Sequence, residues 1–307
     1  MVLQQVADYS EDCRTPTPPD AFVASRLYAT LLFSRVILLI NMQPMLPSLA
    51  AACLYAGAAL YQGLRLNQGS NVHRTLLISL ATLGLLLHVG SLWHQMFTGS
   101  VLALDFFNAA SLVAAAVIFL TLIACIRIPV ENLLIFMLPL GVITVLLAEF
   151  MPTGTSQIID EEPGILAHIL LSLTAYGLLT IAVFQSLLVL LQDYQLKHKR
   201  PSRLIKNFPP LQTMESLMFG FLWGGWLTLT LSLVSGALFV QDLFAQHLVH
   251  KTFFSLFAWI LFAVLLWGRH QLGWRGHKAI RWTLAGFCLL MLAYFGSKLV
   301  REFILHI

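Results

Sequence analysis

Ile165-Leu-Ala-His-Ile-Leu-Leu-Ser-Leu-Thr-Ala-Tyr-Gly-Leu-Leu-Thr-Ile-Ala-Val-Phe-Gln-Ser-Leu-Leu-Val-Leu-Leu-Gln192 runs without one Asp, Glu, Lys or Arg. A helix needs about 20 such residues to cross the hydrocarbon core of a bilayer. Comparable apolar runs fall at 45–63, 74–96, 102–125, 130–150, 215–240, 250–268 and 278–300, so about eight spans are expected. Charge or turn residues break them at Arg65–Gly69, Phe97–Ser100, Arg127–Pro129 and Pro152–Gly154. Composition agrees. The chain is 58% hydrophobic and 10% charged, with a mean hydropathy of +0.81, whereas a soluble domain is roughly a quarter charged. So few charges cannot make a water-facing surface. The expected fold class is all-α, a polytopic transmembrane helix bundle over 45–307 whose partner is the lipid bilayer, with no nucleic acid.

Lys and Arg stay on the cytoplasmic side and report orientation. Arg65 and Arg74 follow the first span and Arg127 the third. Lys197, Lys199, Arg200, Arg203 and Lys206 follow the fifth, and Arg269, Arg275 and Lys278 the seventh. The alternate loops hold Asp105, Asp160–Glu162, and Asp242 with a single Lys251. Both ends of the bundle are therefore expected on the outer side. Residues 1–44 fit this scheme poorly. Their start is acidic and proline-bearing, unlike a signal peptide, and Arg26 and Arg35 interrupt the apolar part. Translation is expected to begin at Met42 or Met45, which the intact mass of the native protein checks.

Cys13, Cys53, Cys125 and Cys288 show no CxxC spacing, which excludes the common zinc, redox-pair and covalent haem motifs. In the sixth span Gly220, Gly224, Thr228, Ser232 and Gly236 form a small-residue stripe, expected to let helices approach closely. In the fifth, His168, Ser172, Tyr176 and Thr180 repeat at steps of four and share one helix face. Interhelical hydrogen bonding is the expectation for the last three.

Of ten histidines, His88, His94, His168, His247 and His250 fall toward the expected outer side. His88 lies about 21 Å up its helix from Arg74 at 1.5 Å per residue, some 9 Å below the outer surface of a core about 30 Å thick. His168 lies at a similar level. Two imidazoles at one depth can hold a haem iron or another transition metal, or each can bond a neighbouring helix. Spacing alone leaves both open.

The stretch His168–Gly177, running on to Leu191-Gln-Asp-Tyr-Gln-Leu-Lys197, resembles the cytochrome c assembly membrane family that includes CcsA, CcmC and HemX, most closely its YpjD branch. Further agreement lies in Pro209-Pro-Leu211, Leu227–Gly236, Leu265-Leu-Trp-Gly268, Gly273-Trp-Arg-Gly276 and Leu292-Ala-Tyr-Phe-Gly-Ser297, so the resemblance covers roughly 45–303. It implies a multi-pass protein of the bacterial inner membrane that binds haem near the outer leaflet, with a tryptophan-rich outer segment cradling it. Here that segment reads Gln241-Asp-Leu-Phe-Ala-Gln-His-Leu-Val-His-Lys-Thr-Phe-Phe-Ser255, without the tryptophans or the acidic dipeptides. Lys251, Ser255 and Trp259 resemble remnants of it. The histidine that relatives carry near the end of the next span falls at about Trp267. These departures weigh against haem-lyase activity and leave His88 and His168 where the branch expects histidine.

The expectation is a haem-handling factor of cytochrome c biogenesis carrying haem b. His88 and His168 would be the iron ligands, or one of them with His250, and Lys251 would meet a propionate. Ser172, Tyr176, His94, His247 and Trp259 would support the site. No nucleophile–base pair, metal-hydrolase motif or nucleotide loop is present, so an assembly factor is expected rather than an ordinary catalyst. The alternative is a non-haem accessory or regulatory subunit of another membrane complex, such as an ion transporter.

Overall fold

The computed structural model describes residues 45–98, 101–102, 105–151, 163–198, 208–239 and 246–300, with the backbone alone at 97–98, 101–102 and 246–250. The extension 1–44, the acidic loop 160–162, the basic run beyond 198, Asp242, Phe244 and His306 lie outside the described residues. Contacts divide the chain into Met1–Leu46 and a compact unit, Pro47–Ile307, and the architecture that follows is that of the second.

Eight long helices make it up: α1 Met45–Gln68, α2 Arg74–Met96, α3 Phe106–Arg127, α4 Leu134–Phe150, α5 Pro163–Lys197, α6 Leu211–Phe239, α7 Gln246–Leu272 and α8 Gly276–Met291. A π-helical segment, Leu292–Gly296, prolongs α8 into a last turn, Ser297–Leu299. Seven of these, α2 to α8, are long and apolar enough to cross a membrane. The first is 24 residues long and carries Tyr55, Tyr61 and Gln62 among its apolar residues. The chain is an all-α, multi-pass membrane protein.

Three boundaries differ from expectation, each for a local reason. Phe97–Thr98 pairs antiparallel with Val101–Leu102, so the third span starts at Phe106 rather than 102. Asp105 caps it, its Oδ1 accepting the Asn108 N–H at 2.7 Å, which satisfies one of the four orphan donors at a helix start. The fifth helix has 35 residues, about 52 Å at 1.5 Å each, and overshoots a core of about 30 Å. Its extra turns are polar, and Lys197 meets Asp193 at 2.7 Å. The sixth begins directly after Pro209-Pro210, so residues 211–214, expected along the membrane surface, are helical. Proline lacks an N–H and suits the lead-in to a helix.

Packing pairs α5 with α6 most extensively, while α3 touches α2, α4 and α5, and α7 and α8 pack together. The small-residue stripe of α6 is only partly what packs. Gly220 faces open space, whereas a Cβ on the neighbouring Gly225 would meet Leu179 at 2.7 Å and one on Gly236 would meet His168 at 2.9 Å. Tyr55 of α1 is fully buried between two glycines. A Cβ on Gly84 of α2 would come within 2.7 Å of its ring, and one on Gly141 of α4 within 3.0 Å. At another level Glu149 ties the same three helices. Its Oε2 accepts from Ser48 Oγ and from Gln95 Nε2, each at 2.6 Å. Arg74 pairs with Glu131 and donates to the Cys125 carbonyl, and Glu215 accepts the Gly276 N–H at 2.9 Å beside Arg269.

Candidate functional site

The polar face of α5 meets α6 and α8. Ser172 Oγ lies 2.7 Å from Ser232 Oγ, and the Tyr176 hydroxyl donates to the Leu290 carbonyl at 2.5 Å. Thr180 instead bonds the Tyr176 carbonyl of its own helix. His168 Nδ1 is 2.9 Å from the Ser232 carbonyl oxygen. A carbonyl only accepts, so Nδ1 carries the proton, and in a neutral ring the lone pair is on Nε2. The only hydrogen-bond contact recorded for Nε2 is a long one, 3.5 Å to Ser172 Oγ. Gly236 makes the room, because any side chain there would strike the imidazole.

Beside His168 opens a cavity of about 600 Å³ walled by α3, α5, α6, α7 and α8. Its lining is mainly apolar, with Ser172, Tyr176 and Ser255 among the polar groups, and its only charged side chains among the described residues are Lys251 and Lys298. Lys298 is 4% exposed. Between the two lysines stands Tyr294, whose ring centroid lies 5.7 Å from Lys251 Nζ and 5.6 Å from Lys298 Nζ. Tyr294 sits in the π-helical segment, and helices wind this way most often at functional sites. Tyr176 grips the same place, since the carbonyl it bonds belongs to Leu290, just before the π turns begin.

The structure does not bring together the two histidines expected to share an iron. His88 is fully buried, with Nε2 2.8 Å from Ser111 Oγ and Nδ1 3.3 Å from Tyr55 Oη. Both ring nitrogens are engaged there, and the ring does not line the cavity. Helix α3 stands between, turning Ser111 toward His88 and Ala109, Leu112 and Val113 toward the cavity. Similar depth in the bilayer therefore did not mean proximity. His94 is exposed on α2. His247 and His250 lie in the first turns of α7, their side chains outside the described residues. Trp259 donates from Nε1 to Thr230 Oγ1 at 2.8 Å and stacks on Trp226, packing on α6 rather than lining the cavity. Ser255 lines it while bonding the Lys251 carbonyl.

Sequence reasoning missed Lys298 and Tyr294. The available signal was their four-residue spacing beside Leu292–Ser297, which puts them near one face only if the winding is known. Among the described residues no group of three His, Cys, Asp or Glu can hold a metal ion. His168 therefore suits a metal that brings most of its own ligands, as iron in a porphyrin does.

A family model described as "Cytochrome C assembly protein" matches residues 76–305, which takes in α2 to α8 and the whole cavity. The chain belongs to this cytochrome c assembly family. Inner membrane protein YpjD of Escherichia coli K12 is 36% identical over 201 residues, spanning 66% of this chain and 76% of that protein. Protein HemX of Brevibacillus brevis is 25% identical over 173 residues, 54% of this chain and 63% of its own. The cytochrome c biogenesis protein CcsA of Chlamydomonas reinhardtii is 25% identical over 145 residues, 46% and 40% of the two chains. No solved structure matches.

Proposed function

We propose that this member of the cytochrome c assembly family holds haem b in the His168 cavity, at the outer leaflet of a bacterial inner membrane, as a binding or assembly factor. The observation that carries the proposal is the tautomer of His168. Its Nδ1–H is spent on the Ser232 carbonyl, the arrangement by which metal-ligating histidines are oriented and made more basic. The cavity volume of about 600 Å³ falls within the range of roughly 300–1,000 Å³ for small-molecule sites, and its apolar walls suit a macrocycle. Bound haem supplies an iron that accepts an axial imidazole and changes oxidation state. The chain's own part is to present Nε2, to keep the ring aligned through Ser232 and to exclude water. His247 and His250 are the proposed sources of a second axial ligand. With no CxxCH motif in the chain, the group is held without covalent attachment. The outer-leaflet placement follows from charge: Arg65, Arg127, Lys197 and Arg269 all lie at the ends of their helices remote from the start of α5, and basic ends face the cytoplasm.

The test is a visible spectrum of the full chain purified in mild detergent from haem-replete cells. The wild type is expected to show a Soret band with sharp reduced α and β bands, and His168→Ala to weaken haem binding by at least about tenfold. A colourless wild type that also ignores added haem would sink the proposal and turn attention to the non-haem accessory subunit.

A further inference from the structure

Resting on the haem reading of the same cavity, we infer that Lys251 and Lys298 form a clamp for two carboxylates carried on one apolar ligand. The inference starts from cost. An ammonium within an apolar membrane bundle is expensive, and lysines near helix ends normally reach out so that the charged group stays in water. Lys298 does not follow that habit, being 4% exposed at the wall of the cavity. A second lysine, from α7, comes to the other side of the same tyrosine ring system, and both ammonium groups sit within cation–π reach of Tyr294. No Asp or Glu is among the described residues of the lining.

The cavity is thus polarised. One wall carries the imidazole of α5, fixed by α6. Another carries two cations from α7 and the end of α8, and apolar surface lies between them. An apolar body with a metal-accessible centre and two acidic tails would meet all three features. A carboxylate gains most from ammonium groups when water is shut out, since charge-assisted hydrogen bonds are roughly twice as strong as neutral ones. Lys298 and Tyr294 owe their place to the π-helical turns, and Tyr176 holds those turns through Leu290. Those two residues therefore position the clamp.

The experiment uses porphyrins without iron, so that histidine ligation plays no part. Metal-free protoporphyrin IX and its dimethyl ester are titrated into the full chain in detergent and followed by porphyrin fluorescence. The wild type is expected to prefer the diacid by on the order of tenfold or more. Lys251→Met and Lys298→Met should each narrow the preference, and the double variant should erase it. Lys298→Arg should keep it, and His168→Ala should leave it unchanged. Equal binding of the two porphyrins by the wild type, no binding of either, or a preference that survives the double variant would each overturn the clamp. If Lys298→Met does not fold, Lys251→Met and Lys298→Arg still decide, because the first is only half-buried and the second keeps the charge. Failure of the haem reading looks different: an iron spectrum indifferent to His168→Ala, with the diacid preference intact.

Discussion

Gly236→Val is expected to remove axial ligation while leaving every proposed ligand in the chain. A Cβ at this position would stand 2.9 Å from His168 Cε1 and 3.2 Å from Nδ1, so the ring must leave its place against Ser232. Overpacking of this kind costs about 1–3 kcal/mol. The functional loss should exceed that, because the displaced ring forfeits the bond that fixes its tautomer. Haem affinity read from the Soret band should fall by at least about tenfold, with the folded yield on size exclusion retained. The double variant Gly236→Val/His168→Ala should bind no worse than His168→Ala alone, since residues acting through one interaction are not additive. A Gly236→Val protein with wild-type bands and affinity would show that the imidazole is not the ligand.

His88→Ala should do the reverse: damage stability and spare the spectrum. Hydrogen bonds inside membrane bundles average only about 0.6 kcal/mol each, so loss of the Ser111 and Tyr55 contacts accounts for the smaller part. The larger part is the void left by a fully buried ring at the junction of α1, α2 and α3. Together they should lower unfolding stability in detergent by about 2–4 kcal/mol, seen as earlier loss of helix on titration with SDS. His88→Gln should recover part of this, because an amide both fills space and bonds. Should the folded His88→Ala protein lose its Soret band, His88 would be restored as a ligand.

Those two histidines mark where the sequence stopped being informative. Helix ends were legible because apolar length and flanking charge are set along the chain, and α2, α4 and α7 fall within a few residues of the expected spans. The stripe His168–Ser172–Tyr176 was legible because steps of four define a face. Depth could likewise be counted from Arg74. What cannot be counted is which helix lies beside which, and that alone put α3 between His88 and His168. Glycine spacing misled in the same way. A stripe of steps of four pointed to Gly220 and Gly224, whereas the close approach is at Gly225, which only the orientation of α5 reveals. Lys298 was hidden for a further reason. Its face depends on winding that departs from 3.6 residues per turn, and no hydrophobic period announces the departure.

The π-helical turns at Leu292–Gly296 have a corollary for how this chain can change. Such turns hold one residue more than plain α-helical winding needs. Removing any one residue there would return α8 to regular phase and rotate all that follows by about 100°. Lys298 would swing off the cavity wall, although no lysine had been mutated. The positive charge of the cavity is therefore encoded by chain length as much as by side-chain identity, and a one-codon deletion would neutralise it more thoroughly than most substitutions.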